Sequence, residues 1–346
     1  RSMYEEEPFL ILATPPCQGM SSNGMGKMLS DYRKGLRPKM DERNRLIIPA
    51  IEIIKALKPE WVILENVTNM VNTLIFDENE ELINIIDYIM RELGNEYPEL
   101  PDAQDEVVLS VRHLSWQNRL HDVSFELKKG EILGIGGLVG AGRTETTQAI
   151  FGALQASSGE FWLHGERYYP KNPQHALKMG IGLIPEDRKQ QGLLLIRSIN
   201  DNICVSVYDR LCRAGLIRRA KECVLSDNYI RSLHIKTPSR KQLAKNLSGG
   251  NQQKVVLAKI MACDCDILIF DEPTRGIDVG AKQEIYQLMT ALTRQGKSII
   301  MVSSDMQELL GMSNRVVVMS NGYSVAELPR EKLSQIEILE YASSKL

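Results

Sequence analysis

A glycine-rich loop offers the clearest candidate for chemistry in this sequence. Residues 137–144 read GLVGAGRT and follow an apolar run at 132–135. Glycines let backbone amides converge on phosphate oxygens, and a helix opening after the loop adds the positive end of its dipole. The loop matches the phosphate-loop pattern G-x-x-x-x-G-K-S/T except at Arg143, so by itself it leaves a glycine-rich turn without ligand open. The predicted phosphate contacts are Gly137, Gly140, Ala141, Gly142, Arg143 and Thr144.

Two acids follow a second apolar run and complement the glycine loop. Asp271 and Glu272 come directly after ILIF at 267–270. At the tip of a buried strand, Asp271 is expected near a magnesium ion that the Thr144 hydroxyl also ligates. Glu272 is expected to polarise an attacking water. Acids at the end of a core strand are common, so this pair gains its meaning from the loop.

A third motif lies between the loop and the acids. Residues 247–254 read LSGGNQQK. The order of phosphate loop, LSGGNQQK and strand-Asp-Glu resembles the ATP-binding cassette (ABC) family over residues 106–346. The resemblance implies a phosphate-loop NTPase fold with a parallel sheet core, a helical subdomain and an antiparallel β subdomain. It also implies ATP and Mg²⁺ as ligands, with Ser248, Gly249 and Gly250 contacting nucleotide held by a second cassette.

Four shorter segments narrow the resemblance. They read PEDRK at 185–189, TRGIDVGAK at 274–282, SSD at 303–305 and GMSNR at 311–315. They are similar to the second cassette of ribose, galactose and xylose-type sugar importers. That similarity implies a monosaccharide importer ATPase, paired with a second cassette in tandem or as a homodimer. Its implied partners are membrane permease subunits and a periplasmic sugar-binding protein. Its implied location is the cytoplasm, peripheral on the inner face of the bacterial plasma membrane.

Three positions depart from a fully equipped ABC site. Arg143 keeps the charge of the usual lysine but not its compact ammonium. Glu186 replaces a neutral glutamine that ligates magnesium in the family, and we keep it as a candidate metal ligand beside Thr144 and Asp271. Ser304 replaces the histidine that contacts the γ-phosphate. These changes predict nucleotide binding with slow turnover, and they leave open a regulatory nucleotide-binding module without turnover.

The first hundred residues carry a second candidate site. TPPCQG at 14–19 and ENV at 65–67 each follow a short apolar run. A thiolate and a carboxyl at neighbouring strand ends suit addition to an electron-poor ring. With DERNRL at 41–46 between them, the motifs resemble DNA cytosine-5 methyltransferases. The resemblance implies that Cys17 attacks a flipped-out cytosine and that Glu65 is the acid, within a partial Rossmann-like fragment.

The methyltransferase resemblance covers only about residues 7–95. The family's S-adenosylmethionine loop, later arginine motif and target-recognition region are not found in this sequence. S-adenosylmethionine is the cofactor expected for the family, but its binding motif is absent, and DNA is a partner only if the segment functions. We therefore expect no methyl transfer from this chain.

Composition and periodicity indicate the elements that position these residues. The 346 residues are 43% hydrophobic and 25% charged with net charge −2, which is ordinary globular composition without a general case for nucleic acid binding. Strands alternating with helices predict an α/β fold. A proline-rich acidic stretch predicts the boundary, giving a segment at 1–98, a linker at 99–105 and the cassette at 106–346. In the first segment we predict strands at 9–13 and 61–64 and helices at 46–57 and 80–93.

Overall fold

The computed structural model describes residues 10–13, 47–57, 61–64, 74–76, 82–84, 88, 97–277 and 279–345. The chain divides into two compact units, Arg1–Glu96 and Tyr97–Leu346.

The described residues of the first unit form a parallel strand pair, a helix and an antiparallel strand pair. Its elements are β1 (Leu10–Ala13), α1 (Ile47–Leu57), β2 (Trp61–Leu64), β3 (Leu74–Phe76) and β4 (Leu82–Asn84). The strands β1 and β2, which the two short apolar runs predict, pair in parallel. Helix α1 buries Ile47, Ile51 and Ile54, whose spacing places them on one face.

The predicted helix over 80–93 is wrong at its start. Residues 82–84 form strand β4, which pairs antiparallel with β3. The partner strand satisfies backbone hydrogen bonds of these three residues, and the helical spacing of apolar residues in the sequence does not reveal such a partner.

The second unit contains twelve of the described strands. They are β5 (Val107–Trp116), β6 (Leu120–Lys128), β7 (Ile132–Gly137), β8 (Ser158–Leu163), β9 (Glu166–Tyr168), β10 (Ile181–Ile184), β11 (Cys212–Arg213), β12 (Leu216–Ile217), β13 (Ile267–Asp271), β14 (Ser298–Val302), β15 (Arg315–Ser320) and β16 (Tyr323–Pro329). Its α-helices are α2 (Arg143–Ile150), α3 (Pro173–Lys178), α4 (Ile199–Cys204), α5 (Tyr208–Leu211), α6 (Arg219–Ser232), α7 (Gly249–Met261), α8 (Val279–Arg294), α9 (Met306–Met312) and α10 (Gln335–Ala342). A π-helical turn lies at Arg188–Gly192, and 3₁₀ turns lie at Val205–Val207, Ala244–Asn246 and Arg330–Lys332.

Ten of these strands form one curled, mixed sheet. Their order is β10-β13-β14-β7-β15-β16-β6-β5-β8-β9. The strands from β10 to β15 are parallel, whereas β6, β5, β8 and β9 pair antiparallel. Helices α4 to α7 lie between β10 and β13 in the chain. The predicted ABC cassette fold, with its parallel core and its helical and antiparallel subdomains, is confirmed.

Burial explains why the central strands read as continuous apolar runs. Every residue of β10, β13 and β14 is buried, because helices cover both faces of this part of the sheet. Along β13 the side chains alternate between two cores, with Leu268 and Phe270 in one and Ile267 and Ile269 in the other. The carboxyl of Asp271, the last residue of β13, is therefore positioned by a strand that is packed on both faces.

The segment predicted as a linker, 99–105, lies within the second unit. The ring of Tyr97, just before it, lies 5.2 Å from the ring of Tyr286. Arg294 and Asn314 donate side-chain hydrogen bonds, each 3.0 Å long, to the carbonyls of Glu99 and Pro101. A segment without secondary structure thus has two of its backbone carbonyls hydrogen-bonded to side chains of the cassette.

Within the part of the chain that the structure describes, no helix has the length and apolar character needed to cross a bilayer.

Candidate functional site

The phosphate loop connects the end of β7 to the start of α2. Gly137 ends the strand with φ +148°, and a Cβ there would lie 2.4 Å from the carbonyl oxygen of Met319. Gly142 precedes the helix with φ +95°, and its Cβ would lie 2.5 Å from Leu120 Cδ2. Both positions therefore require glycine, for backbone conformation and for space. The loop is held tightly against β15 and β6.

Thr144 and Asp271 meet at the carboxyl ends of the parallel strands. Thr144 Oγ1 donates a hydrogen bond to Asp271 Oδ1 over 3.2 Å. Asp271 is only 2% exposed. Burial raises the pKa of this carboxyl to about 6, while the Thr144 hydrogen bond and the charge of Arg143 oppose the shift. A hydroxyl and a buried carboxylate are hard oxygen donors, so these residues fit Mg²⁺, whose charge would offset the burial of the carboxylate.

Glu272 has a left-handed backbone, and its carboxylate has two polar partners. Its φ is +50°, which is uncommon for a residue other than glycine and persists only when surrounding contacts hold it. Its N–H donates to the carbonyl of Val302 over 2.9 Å. Ser304 Oγ donates to its Oε2 over 2.9 Å, and Arg143 Nη2 lies 3.7 Å from its Oε1. The carboxylate is thus held over the loop that follows β14.

Arg143 lies inward, between this acid and the same loop. Its side chain is 9% exposed, and its guanidinium donates to the carbonyl of Ser303. Burial lowers the pKa of Arg143, while the charges of Glu272 and Asp271 oppose that shift. The planar guanidinium contacts a carbonyl and a carboxylate together, and a lysine ammonium could not match this geometry.

Glu186 contacts a different cation from the one predicted. Its carboxylate pairs with the guanidinium of Arg275, whereas the sequence places it with Thr144 and Asp271 on a metal. Arg188 Nη1 donates to the carbonyl of Arg275 over 3.0 Å. A cavity of about 370 Å³ is lined by Glu186, Asp187, Arg188, Lys189, Arg275 and Gly276.

Ser248, Gly249 and Gly250, which are predicted to contact nucleotide held by a second cassette, lie close to Arg188 and Gly276. Ser248 is the exposed N-cap residue of α7, and its Oγ accepts a hydrogen bond from Asn251 over 2.9 Å. A Cβ on Gly249 would lie 2.9 Å from Arg188 Nη2 and 3.5 Å from the carbonyl of Gly276. Gly250 follows, buried, in the first turn of the helix.

The structure therefore brings the predicted residues together in two groups. The first contains the phosphate loop, Asp271, Glu272 and Ser304. The second contains Glu186, the segment 248–250 and the arginines at 188 and 275. Cys17 and Glu65 lie outside the described residues, so their roles remain predictions.

Two residues near these groups were not predicted from the sequence. Arg275 pairs with Glu186, and buried Glu308 accepts a hydrogen bond from Thr274 over 2.9 Å. The sequence contains only a weak signal for either residue. Arg275 comes soon after the acid pair, and Glu308 is an acid in a first helical turn, where negative charge is ordinary.

Two family models match separate stretches of the chain. The sequence model described as ABC transporter matches residues 120–275. The model described as C-5 cytosine-specific DNA methylase matches residues 3–105.

Relatives of known name support the first match. The ribose import ATP-binding protein RbsA of Halalkalibacterium halodurans is 43% identical over 276 residues, covering 80% of this chain and 54% of that protein. The protein of the same name from Clostridium tetani is 43% identical over 266 residues, covering 76% of this chain and 52% of that protein. This chain thus spans about half the length of these relatives.

Solved structures support the fold. The ADP conformation of an ATP-binding cassette of an ABC transporter matches with a TM-score of 0.57 and 19% identity, covering 69% of this chain and 99% of that one. At that identity the likeness shows the fold alone. Residues 120–275 are an ABC transporter domain on an ATP-binding cassette fold, and residues 3–105 match the C-5 cytosine-specific DNA methylase family.

Proposed function

We propose that residues 97–346 act as the ATP-binding and ATP-hydrolysing part of an ABC importer for a monosaccharide. The observation that carries the proposal is the 3.2 Å hydrogen bond between Thr144 and Asp271, which joins the phosphate loop to the acid pair. The names of the ribose import relatives support the sugar class.

In this proposal the loop backbone from Gly137 to Thr144 binds the phosphates, with Gly140, Ala141, Gly142 and Arg143 in between. Thr144 and Asp271 would hold the magnesium ion. Bound magnesium would balance charge on the phosphate oxygens. Glu272 orients and polarises the attacking water.

Glu186 is retained as a third metal ligand under one condition. Its carboxylate pairs with Arg275, so it reaches a metal only after that ion pair opens. Removing the Arg275 guanidinium should then strengthen magnesium binding, and the gain should vanish when Glu186 is also changed to Ala.

Slow turnover at the chain's own phosphate loop is the second part of the proposal. The carboxylate expected to polarise water already accepts from Ser304 and lies beside Arg143. Ser248, Gly249 and Gly250 would instead complete the stronger site of a second cassette, in tandem or in a homodimer. Exposure of the Ser248 side chain at the start of α7 supports that role.

The proposed partners follow from the importer assignment. They are membrane permease subunits and a periplasmic sugar-binding protein, with this chain in the cytoplasm on the inner face of the bacterial plasma membrane. The N-terminal match supports Cys17 as a nucleophile and Glu65 as an acid. S-adenosylmethionine and DNA binding stay predictions for that segment, and we assign the importer function to residues 97–346 alone.

Calorimetry with Mg²⁺ and ATP tests the binding proposal. We expect saturable binding at millimolar nucleotide or below, and strong weakening in Asp271→Asn. The exposed Asp266→Asn variant is the control, and it should bind as the unchanged protein does. A folded chain that fails to retain nucleotide at millimolar concentration would refute the proposal.

Steady-state hydrolysis tests the turnover proposal separately. A rate as high as that of cassettes with lysine, glutamine and histidine at the three altered positions would contradict it, provided that Glu272→Gln abolishes that rate.

A further inference from the structure

Glu308 is a buried acid to which the proposed chemistry assigns no role. It lies in the first turn of α9 and is 1% exposed. Glutamate is almost never fully buried without partners. Thr274 Oγ1 donates to its Oε1 over 2.9 Å, and its own N–H donates to Asp305 Oδ1 over 3.3 Å. Glu308 is therefore connected to two separate loops, to one through Thr274 and to the other through Asp305.

Those two loops carry the residues of the candidate site. Thr274 follows Glu272 by two residues in the loop after β13, and Ser303 precedes Ser304 in the loop after β14. The loops also meet directly, because Ser304 Oγ donates to Glu272 Oε2 over 2.9 Å. The side chains of Glu272 and Ser304 thus form one connection between the loops, and Glu308 forms a second, buried one.

The loop after β13 needs such support. Glu272 has φ +50°, a conformation that the surrounding contacts must maintain. Its carbonyl accepts from the N–H of Arg275 over 3.2 Å, which closes a turn around Thr274. The Thr274 hydroxyl ties that turn to Glu308.

The helix that carries Glu308 is itself fixed to the other loop. Asp305 Oδ1 accepts from the N–H groups of Gln307 and Glu308, and the Asp305 N–H donates to Ser303 Oγ over 3.0 Å. Lys282 on α8 lies 3.1 Å from Asp305 Oδ2. Contacts from the loop after β14 and from α8 therefore both resist a displacement of the Glu308 carboxyl.

We propose that Glu308 is a positioning residue that, through Thr274 and by way of Asp305 through Ser303, sets where Glu272 and Ser304 meet the terminal phosphate of bound ATP. The inference rests on the proposed function. Glu308 does not touch nucleotide in this scheme. Its effect falls on contacts that ATP makes and ADP lacks.

Chemistry at the carboxyl indicates which variants separate this role from simple packing. Burial raises the pKa of Glu308 to about 7, with Asp305 adding to the shift and the Thr274 and Ser303 hydroxyls and Lys282 opposing it. We therefore expect a neutral side chain of the same shape to be tolerated there. Glu308→Gln keeps an oxygen acceptor for Thr274, Glu308→Ala removes it, and Thr274→Val removes the donor at nearly constant shape.

The test measures ATP and ADP dissociation constants with Mg²⁺, together with the single-turnover rate of bound ATP. We expect Glu308→Ala and Thr274→Val to reduce the preference for ATP over ADP about fivefold and the rate about tenfold, with ADP binding changed less than twofold. Glu308→Gln and Thr274→Ser should stay within about twofold of the unchanged protein.

Glu222 provides the matched control. It is also a buried acid that accepts from a hydroxyl, that of Tyr208 over 2.9 Å, but it lies in the helical subdomain. Glu222→Ala should lower the melting temperature without changing the ATP preference.

The outcomes distinguish the inference from the proposed function. Absence of ATP binding by the unchanged protein would end both. Normal ATP binding with the same ATP preference in Thr274→Val and Glu308→Ala, or an equal loss in Glu222→Ala, would overturn the positioning role alone. The preference for ATP over ADP tests the positioning role even if the turnover rate is too low to measure.

Discussion

At the scale of single residues, Asp271 makes the candidate site sensitive to pH. Burial raises the pKa of its carboxyl to about 6. The folded chain therefore holds the proton more tightly than the unfolded chain, and the free energy of unfolding falls as pH rises from about 4 to 6, by up to roughly 3 kcal/mol.

Metal binding should follow the opposite trend, because a carboxylate must lose its proton to become a ligand. We expect the affinity for Mg²⁺ with ATP to fall about tenfold between pH 7 and pH 5. Calorimetry across this range measures it. Asp271→Asn should remove most of the pH dependence, whereas a slope unchanged in that variant would assign the titration to another group.

Arg143 presents a second residue-scale prediction. Its guanidinium contacts the carbonyl of Ser303 and lies 3.7 Å from the Glu272 carboxylate. A lysine ammonium is a compact point charge that cannot span both partners, so Arg143→Lys should release Glu272. We expect single-turnover hydrolysis to increase several-fold. Arg143→Met is the control, with weaker nucleotide binding and no gain in rate, and an unchanged rate in Arg143→Lys would count against the pairing.

At the scale of elements, the junction of β7 with the phosphate loop depends on one close approach. A Cβ at Gly137 would lie 2.4 Å from a backbone oxygen, whereas one at Gly140, which also has positive φ, would meet nothing within 4 Å. Alanine substitutions at the two glycines therefore distinguish the cost of a steric conflict from the cost of backbone strain within one loop.

We expect Gly140→Ala to cost about 1–2 kcal/mol of folding free energy, from the left-handed backbone alone. Gly137→Ala should cost about 1–3 kcal/mol more and weaken nucleotide binding, since β7 must move away from β15. Denaturant unfolding and nucleotide titration measure both effects. Equal costs at the two positions would show that the strand junction tolerates the shift.

At the scale of the whole molecule, the chain contains two units with different family matches. The division after Glu96 leaves residues 97–105 with the cassette, where Tyr97, Glu99 and Pro101 contact it. We expect residues 97–346 produced alone to bind nucleotide as the full chain does. Residues 106–346 should melt roughly 5–10 °C lower, because the ring contact and two hydrogen bonds are lost.

Thermal unfolding of the three chains measures this difference. An Arg294→Ala variant of residues 97–346 controls for one of the lost contacts and should show a smaller decrease. Identical melting of the two shortened chains would show that the segment contributes no stability to the cassette.

The sequence by itself determined an α/β fold with a parallel sheet and the meeting of Thr144 with Asp271, and the resemblance of its motifs implied the cassette. Strands buried on both faces appear as continuous apolar runs, and parallel strands bring their carboxyl ends to one edge, so motifs at those ends must converge. Only the tertiary structure decided that Glu186 pairs with Arg275, that Arg143 lies against Glu272, that 82–84 is a strand and that Glu308 is buried beneath the site. Each of these features depends on a partner that is distant in sequence and that supplies the opposite charge, the hydrogen-bond donor or the neighbouring strand. The local spacing of residues does not identify that partner.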